Sequence, residues 1–128
     1  VFSTLHTNSA PETIDRIVDV FPEGAKNQAR LQLASSLGAI ISQRLVPTIK
    51  PGRVPAVELL INNYAVKTAI REAKTHMIDN IIQTSAESGM FLLEVSLAEW
   101  VKKGVVDSKT AEQFALREKE LLRNLRVK

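Results

Sequence analysis

A histidine near the start of the chain, His6, is the first residue whose type and position could do chemistry. It follows the short β-prone run 1–5, and hydroxyl side chains flank it at Thr4 and Thr7. Open parallel sheets place their ligands just beyond the carboxyl ends of their strands. An imidazole at such a place could contact a phosphate group or position a water molecule. The alternative is a loop histidine whose ring only hydrogen-bonds the backbone.

Charged side chains on a predicted helix after Asn63 form a second group of candidates. Lys67, Arg71 and Lys74 recur at helical spacing and therefore share one face, and Glu72 lies beside them. Such a face is either an ordinary solvated surface or a docking surface for an acidic partner.

Composition and motif content exclude several other chemistries. The 128 residues contain no cysteine and two histidines, His6 and His76, far apart in the chain, so we expect no metal site here. No Gly-x-x-x-x-Gly-Lys-[Ser/Thr] sequence occurs, so the chain has no phosphate-binding P-loop of its own. A net charge of +3 does not by itself indicate nucleic-acid binding. No apolar run reaches the ~18 residues that a membrane-spanning helix needs.

The elements that must position His6 have clear sequence signals. Residues 1–5 are typical of a strand, and Ser9 and Glu12 have the spacing of a capping box at the start of a helix. A strand, a short polar loop and a capped helix form half of a βαβ unit, so the sheet is expected to be parallel. Because the chain opens inside this strand without a Met, we expect a fragment of something longer.

The middle of the chain is predicted to contain one helix and one hairpin. Apolar residues recur at helical spacing over 27–45. The β-prone runs 46–49 and 54–61 flank the turn sequence Lys-Pro-Gly-Arg at 50–53, which predicts a β-hairpin. Pro55 places the second run at a sheet edge.

From residue 62 onward the periodicity is helical only. Asn63 is expected to cap the first of four helices, whose inward stripe reaches Ala73. The chain is therefore predicted to divide into an α/β part, 1–62, and a small helical bundle, 63–128.

Several blocks of the sequence resemble one known family. Residues 2–10, Phe-Ser-Thr-Leu-His-Thr-Asn-Ser-Ala, closely resemble the His box of the secretion ATPases, the RecA-like hexameric motors of type IV pili and of type II and IV secretion. Residues 33–37 and 41–45 resemble the next blocks of that family. Residues 65–72, Ala-Val-Lys-Thr-Ala-Ile-Arg-Glu, are similar to the Ala-Ile-Arg-Asn-Leu-Ile-Arg-Glu sequence of the type IV pilus retraction (twitching motility) ATPases. The blocks occur in order over essentially the whole chain, which therefore resembles the C-terminal portion of such an ATPase.

One absence separates the branches of this family. Pilus-assembly and type II secretion ATPases typically carry a Cys-rich zinc motif after the Gln-Arg-Leu block, whereas residues 46–53 of this chain contain no Cys. The resemblance is therefore closer to the retraction branch. Lys67, Thr68 and Ala69 depart from that branch's Arg, Asn and Leu, and Lys67 lacks the planar fork of an arginine.

The resemblance implies a fold and roles for the candidate residues. The expected fold is α/β: the C-terminal half of a RecA-like P-loop NTPase core, with a partial parallel sheet and a β-hairpin, followed by a small helical bundle. His6 would contact or sense the γ-phosphate, and Thr4 and Thr7 would flank the nucleotide site. The helix after Asn63 would dock a partner or couple motion through Lys67, Arg71 and Glu72.

The resemblance also implies cofactors, partners and a location. The intact protein would be an ATPase that uses ATP with Mg²⁺ to power type IV pilus retraction and twitching motility. In the family the Walker A and Walker B segments precede the His box, so this chain alone is predicted to bind no nucleotide and to be inactive. The partners would be further copies of itself in a homohexamer and the pilus inner-membrane platform protein, with no nucleic acid. The expected location is cytoplasmic, peripheral at the inner face of the bacterial inner membrane.

Two other interpretations stay open at the level of sequence. One is a related pilus-assembly or type II secretion ATPase. The other is a non-enzymatic interaction module that binds an acidic protein or nucleic acid through Lys67, Arg71, Lys74 and the basic end of the chain.

Overall fold

The computed structural model describes residues 1–127. In this part of the chain, helices pack on one antiparallel hairpin of two strands, β1 (Ala39–Pro47) and β2 (Arg53–Ile61). The α-helices are α1 (Ala10–Asp19), α2 (Lys26–Ser36), α3 (Tyr64–Arg71), α4 (Ile78–Thr84), α5 (Leu93–Lys102), α6 (Ser108–Phe114) and α7 (Glu118–Arg126). Short 3₁₀ turns lie at Glu23–Ala25, Thr75–Met77 and Ala86–Ser88. The α/β class predicted from the sequence is confirmed.

The segment before α1 differs from its prediction. Residues 1–7 form no regular secondary structure, and Val1 and Phe2 are fully exposed. The strand predicted over 1–5 is therefore wrong, and within residues 1–127 the expected partial parallel sheet is not formed. A β-prone run becomes a strand only where a neighbour satisfies its N–H and C=O groups. Neither described strand pairs with 1–5.

The prediction of one helix over 27–45 is correct in its first half and wrong in its second half. α2 ends at Ser36, and β1 begins at Ala39. Along β1, buried Ile40 precedes exposed Ile41, and the burial continues to alternate with the period of a strand. Over so few residues helical and strand spacing overlap, and pairing with β2 decides between them.

The hairpin is confirmed, with β1 longer than predicted. Its register pairs Ala39 with Ile61 at the open end and Pro47 with Arg53 beside the turn. In the turn, Gly52 has a φ of +143°, a conformation that L side chains rarely adopt.

The outer edge of β2 is covered by the segment that leads into α5 and by α5 itself. Leu59 and Phe91 exchange backbone hydrogen bonds, with N···O distances of 2.9 and 3.3 Å. The Trp100 indole N–H donates to the Pro55 carbonyl at 2.8 Å. Pro55 thus lies at the sheet edge, as predicted, where its missing N–H costs no ladder hydrogen bond.

Two clusters of buried side chains occupy the two ends of the hairpin's inner face. The first joins the hairpin to α1, α2, α3 and α4 and consists of Ala10, Ile14, Ala34, Ile40, Leu60, Val66, Ala69, Ile70, Ile78, Ile82, Met90 and Leu92. The second joins it to α5, α6 and α7 and consists of Val46, Ala56, Leu93, Leu97, Ala98, Val106, Ala111 and Leu121. Each cluster contains residues from both sides of residue 62. The division into 1–62 and 63–128 stays a prediction.

The end of α3 contains the one non-glycine residue with a positive φ in the described chain. Lys74 N–H donates to the Ala69 carbonyl at 2.8 Å and Ala73 N–H to Ile70 at 3.2 Å, which is the Schellman pattern of a helix end. This pattern puts Ala73 at a φ of +57°. Ala73 is exposed and does not belong to the inward stripe, contrary to the prediction.

We expect Ala73→Gly to raise the free energy of unfolding by roughly 0.5–1 kcal/mol, because a left-handed L-residue costs about 1–2 kcal/mol and part of this is offset by the greater entropy of unfolded glycine. Urea denaturation measures the change. Ala73→Val is the matched control and should destabilise, since a β-branched side chain is worse at this φ. Equal stability of all three proteins would contradict the strain argument.

Candidate functional site

His6 lies on the extended segment that leads into α1, and its side chain is exposed. Thr4 is exposed on the same segment. Thr7 is partly buried, and its hydroxyl lies 2.6 Å from the Thr13 hydroxyl of α1. The structure therefore ties Thr7 to α1 and leaves the imidazole of His6 open to solvent.

The first turn of α1 fixes the residues that follow His6. Ser9 is the N-cap, and its hydroxyl accepts from the Glu12 N–H at 3.3 Å. The Glu12 carboxylate accepts from the Asn8 N–H at 3.0 Å, one residue before the cap. Thr13 Oγ1 donates to the Ser9 carbonyl at 2.8 Å. The predicted cap is confirmed, with the return hydrogen bond shifted by one residue.

The start of α1 also meets a buried carboxylate from β2. Glu58 is completely buried, and its Oε1 accepts from the Ala10 N–H at 3.1 Å. Its Oε2 accepts from the Leu93 N–H, the first residue of α5, at 3.3 Å. The same oxygen lies 3.2 Å from Nη2 of Arg117. One carboxylate thus caps two helices and binds a guanidinium.

Arg117, the residue before α7, is the centre of this network. Its Nη1 donates to Glu94 Oε1 at 2.5 Å, and Glu94 is completely buried in the first turn of α5. Its Nε and Nη2 each donate to the Asp79 carboxylate of α4 at 3.0 Å. The second oxygen of Glu94 accepts from the Leu116 and Arg117 N–H groups at 2.8 and 3.1 Å. We call Glu58, Asp79, Glu94 and Arg117 the Arg117 network.

The charges of this network are balanced by more than one group. Besides the guanidinium, the N-terminal ends of α1 and α5 and the residues leading into α7 point N–H groups at the buried carboxylates. Such ends carry partial positive charge. Burial by itself would lower the pKa of Arg117, but hydrogen bonds to Asp79 and the charges of the buried carboxylates outweigh it and raise that pKa above its ordinary value. Arg117 therefore stays charged at every working pH.

Sequence reasoning did not single out any residue of the Arg117 network. A signal did exist for Glu58, which occupies an inward position of β2 between buried Ala56 and Leu60. A carboxylate on the buried face of a strand needs partners, so alternation alone marks it as part of a polar network. Arg117 lies in a polar stretch near the end of the chain and carries no comparable signal.

The charged candidates of the second group lie on and just beyond α3. This helix begins where predicted, since the Asn63 side chain accepts from the Val66 N–H at 2.9 Å. Lys67 is partly buried, Arg71 is exposed, and both lie on α3, while Glu72 ends the helix.

Beside α3 lies an apolar groove with charged side chains at its border. Lys74 Nζ lies 3.9 Å from the Glu72 carboxylate, so this border has both signs of charge. The groove, of about 360 Å³, separates α3 from α4 and is lined by Tyr64, Met77 and Ile81 among others. The His6 segment and this surface lie on different elements.

None of the helices described is both long and apolar enough to cross a membrane. Over residues 1–127, no three His, Asp or Glu side chains are grouped so that they could hold a metal ion.

Comparison with known proteins decides the family. Residues 1–128 match the family described as Type II/IV secretion system protein. The chain belongs to this family. It is 46% identical over 116 residues to the twitching motility protein of Neisseria gonorrhoeae and 44% identical over 115 residues to the type IV pilus retraction ATPase PilT of Pseudomonas aeruginosa. These alignments cover 90% of the chain and 31% and 33% of the relatives.

A solved structure of the pilus retraction motor PilT with bound ADP has the same fold over this region. It superposes with a TM-score of 0.80 at 40% identity, covering 93% of the chain and 33% of that protein. The chain thus spans about a third of the length of the secretion-family proteins it matches. The resemblance to retraction ATPases seen in the sequence is confirmed.

We expect Arg117→Ala to cost about 3–5 kcal/mol of folding free energy, because it leaves two buried carboxylates without their counter-ion. Urea denaturation measures the loss. Arg123→Ala is the matched control: Arg123 pairs with Glu120 at 2.7 Å on the exposed face of α7, and such a pair contributes about 0.2–1 kcal/mol. A loss for Arg117→Ala no larger than that of the control would contradict the role assigned to the network.

Proposed function

We propose that the chain works as part of an ATPase motor that retracts type IV pili and drives twitching motility, coupling ATP hydrolysis to domain movement. The observation that carries the proposal is the 44–46% identity to two proteins of pilus retraction and twitching motility over nine-tenths of the chain. The likeness in structure to the retraction motor supports it. The assembly we propose is a homohexamer.

We propose that His6 is the residue of this chain that contacts or senses the γ-phosphate of ATP bound with Mg²⁺. An exposed imidazole and the exposed hydroxyl of Thr4 fit a contact to a terminal phosphate, while Thr7 flanks them with its hydroxyl paired to Thr13. They do not fit a complete nucleotide site, because the chain contains no P-loop sequence to cradle the phosphates. ATP supplies the phosphoryl group that is transferred, and the part of His6 is to hold a charged oxygen in position. That the chain alone binds no nucleotide and is inactive stays a prediction.

We propose that Lys67, Arg71 and Glu72 dock a partner or transmit motion. The partner we favour is the pilus inner-membrane platform protein. The position of two cations and a carboxylate on and at the end of one capped helix, beside an apolar groove, supports a protein partner, since apolar grooves with charged rims are typical of protein docking sites. We also propose a cytoplasmic location, peripheral at the inner face of the bacterial inner membrane, which the similarity to proteins of pilus retraction supports. Nucleic acid is not part of this proposal.

A chimaera tests the role of His6. In it, this chain replaces the matching third of the Pseudomonas aeruginosa retraction ATPase. We expect the chimaera to hydrolyse ATP and His6→Ala in it to lower kcat by about 10²–10³-fold, the scale set by removing one positioned oxyanion contact. Phosphate release measures turnover.

His76→Ala is the matched control, because His76 is the other histidine of the chain and is exposed in the 3₁₀ turn before α4. It should leave kcat unchanged. A folded chimaera without ATPase activity would contradict the proposed function, and an active chimaera indifferent to His6→Ala would contradict the role of this residue.

The α3 surface is tested by charge reversal in the same chimaera. We expect Lys67→Glu with Arg71→Glu to abolish twitching on agar while ATP hydrolysis changes less than about threefold, because reversed charge repels an acidic partner. Lys109→Glu, at an exposed position of α6, is the control and should twitch normally. Normal twitching of the double variant would refute the docking role.

A further inference from the structure

One side chain links the start of α1 to the far end of the chain. Most hydrogen bonds around the His6 segment are local, as those of Ser9 and Glu12 show. The Ala10 N–H is different, because it donates to Glu58, 48 positions later in the sequence. A buried carboxylate of β2 therefore binds the start of α1, in addition to the apolar packing of Ala10 and Ile14 against the hairpin.

Arg117 and the start of α5 hold the other side of that carboxylate. The two oxygens of Glu58 have different partners. Oε1 accepts from the Ala10 N–H, and Oε2 accepts from the Leu93 N–H and the Arg117 guanidinium. All three partners are donors. An amide in place of the carboxylate would turn its NH₂ group toward at least one of them, so glutamine cannot satisfy both sides.

We propose that Glu58 is a positioning residue for the His6 segment and that Arg117 holds Glu58 in its working orientation. Through these two contacts Arg117 determines where α1 begins, and therefore where the His6 segment joins the folded part of the chain. The mechanistic meaning of this positioning rests on the proposed function, whereas the positioning itself is a property of the chain that needs no nucleotide to be observed.

Site-resolved hydrogen exchange of the 128-residue chain tests the positioning. The readout is the exchange rate of the Ala10 amide, compared with that of the Val66 amide, which donates at 2.9 Å to the unrelated cap Asn63. We expect Glu58→Gln and Arg117→Gln to speed exchange at Ala10 about tenfold more than at Val66, as loss of one hydrogen bond to a charged group predicts.

Two further variants distinguish a local change at Ala10 from a general loss of stability. Arg117→Lys retains the charge without the fork and should give an intermediate change at Ala10, which is a partial rescue. Arg123→Gln removes the exposed arginine of α7 and should match the parent. Equal acceleration at Ala10 and Val66, or none at Ala10, would overturn the proposal and reduce Glu58 to a structural residue.

The chimaera separates this proposal from the proposed function. In the chimaera, we expect Arg117→Lys to lower kcat more than it raises KM for ATP. A displaced start of α1 moves His6 away from the transition state and leaves the binding of the nucleotide unchanged. If Ala10 responds in the chain while His6→Ala leaves turnover intact, the positioning stands and the phosphate role fails. If Ala10 does not respond while His6→Ala abolishes turnover, the phosphate role stands and the positioning fails.

Discussion

Two buried carboxylates on the inner side of the molecule decide how its helices meet the hairpin. Glu58 and Glu94 have no exposed surface, and the Arg117 guanidinium donates to both. Backbone N–H groups at the starts of α1 and α5 donate to Glu58, and those leading into α7 donate to Glu94. Taking such charges from water costs several kcal/mol each unless partners replace the lost hydration. The helices α1, α5 and α7 must therefore begin where their N–H groups reach these oxygens, and the register of β2 must keep Glu58 facing inward.

An apolar pair of similar volume would fill the same space at less electrostatic cost, and replacements of buried ion networks by hydrophobic residues are often neutral or stabilising. The polar arrangement fixes the relative orientation of its groups, because a hydrogen bond requires a particular distance and angle. An apolar contact requires only that the groups be close. Glu58 lies between the two hydrophobic clusters of the hairpin's inner face, so its contacts also fix how the two clusters are placed relative to each other.

The sequence predicts local features well where a short-range interaction determines them. The caps at Ser9 and Asn63 and the turn at 50–53 depend on residues a few positions apart, and all three are found. The start of β1 was missed because its apolar residues fit a helix equally well until β2 pairs with them. The opposite error occurs over 1–5, where a strand is predicted and none forms, since β-prone residues alone do not supply a neighbour. Both errors concern partners that are distant in the sequence.

In the candidate site, too, the sequence does not reveal contacts between residues that are distant in the chain. His6 and the cations of α3 are visible in the sequence because their types and spacing suggest chemistry, and the roles proposed for them rest on a resemblance to secretion ATPases. The groups that hold the start of α1 are harder to find: alternation along β2 marks Glu58 as part of a polar network, but Ala10 and Arg117 are far from it in the chain and meet it only in the fold. A side chain that must meet a phosphate needs its supporting residues fixed to a fraction of an ångström. For the contact proposed for His6, an exposed residue on an irregular segment, the helix behind it must be anchored, and the hydrogen bond from the Ala10 N–H to Glu58 adds such an anchor to the apolar packing of α1.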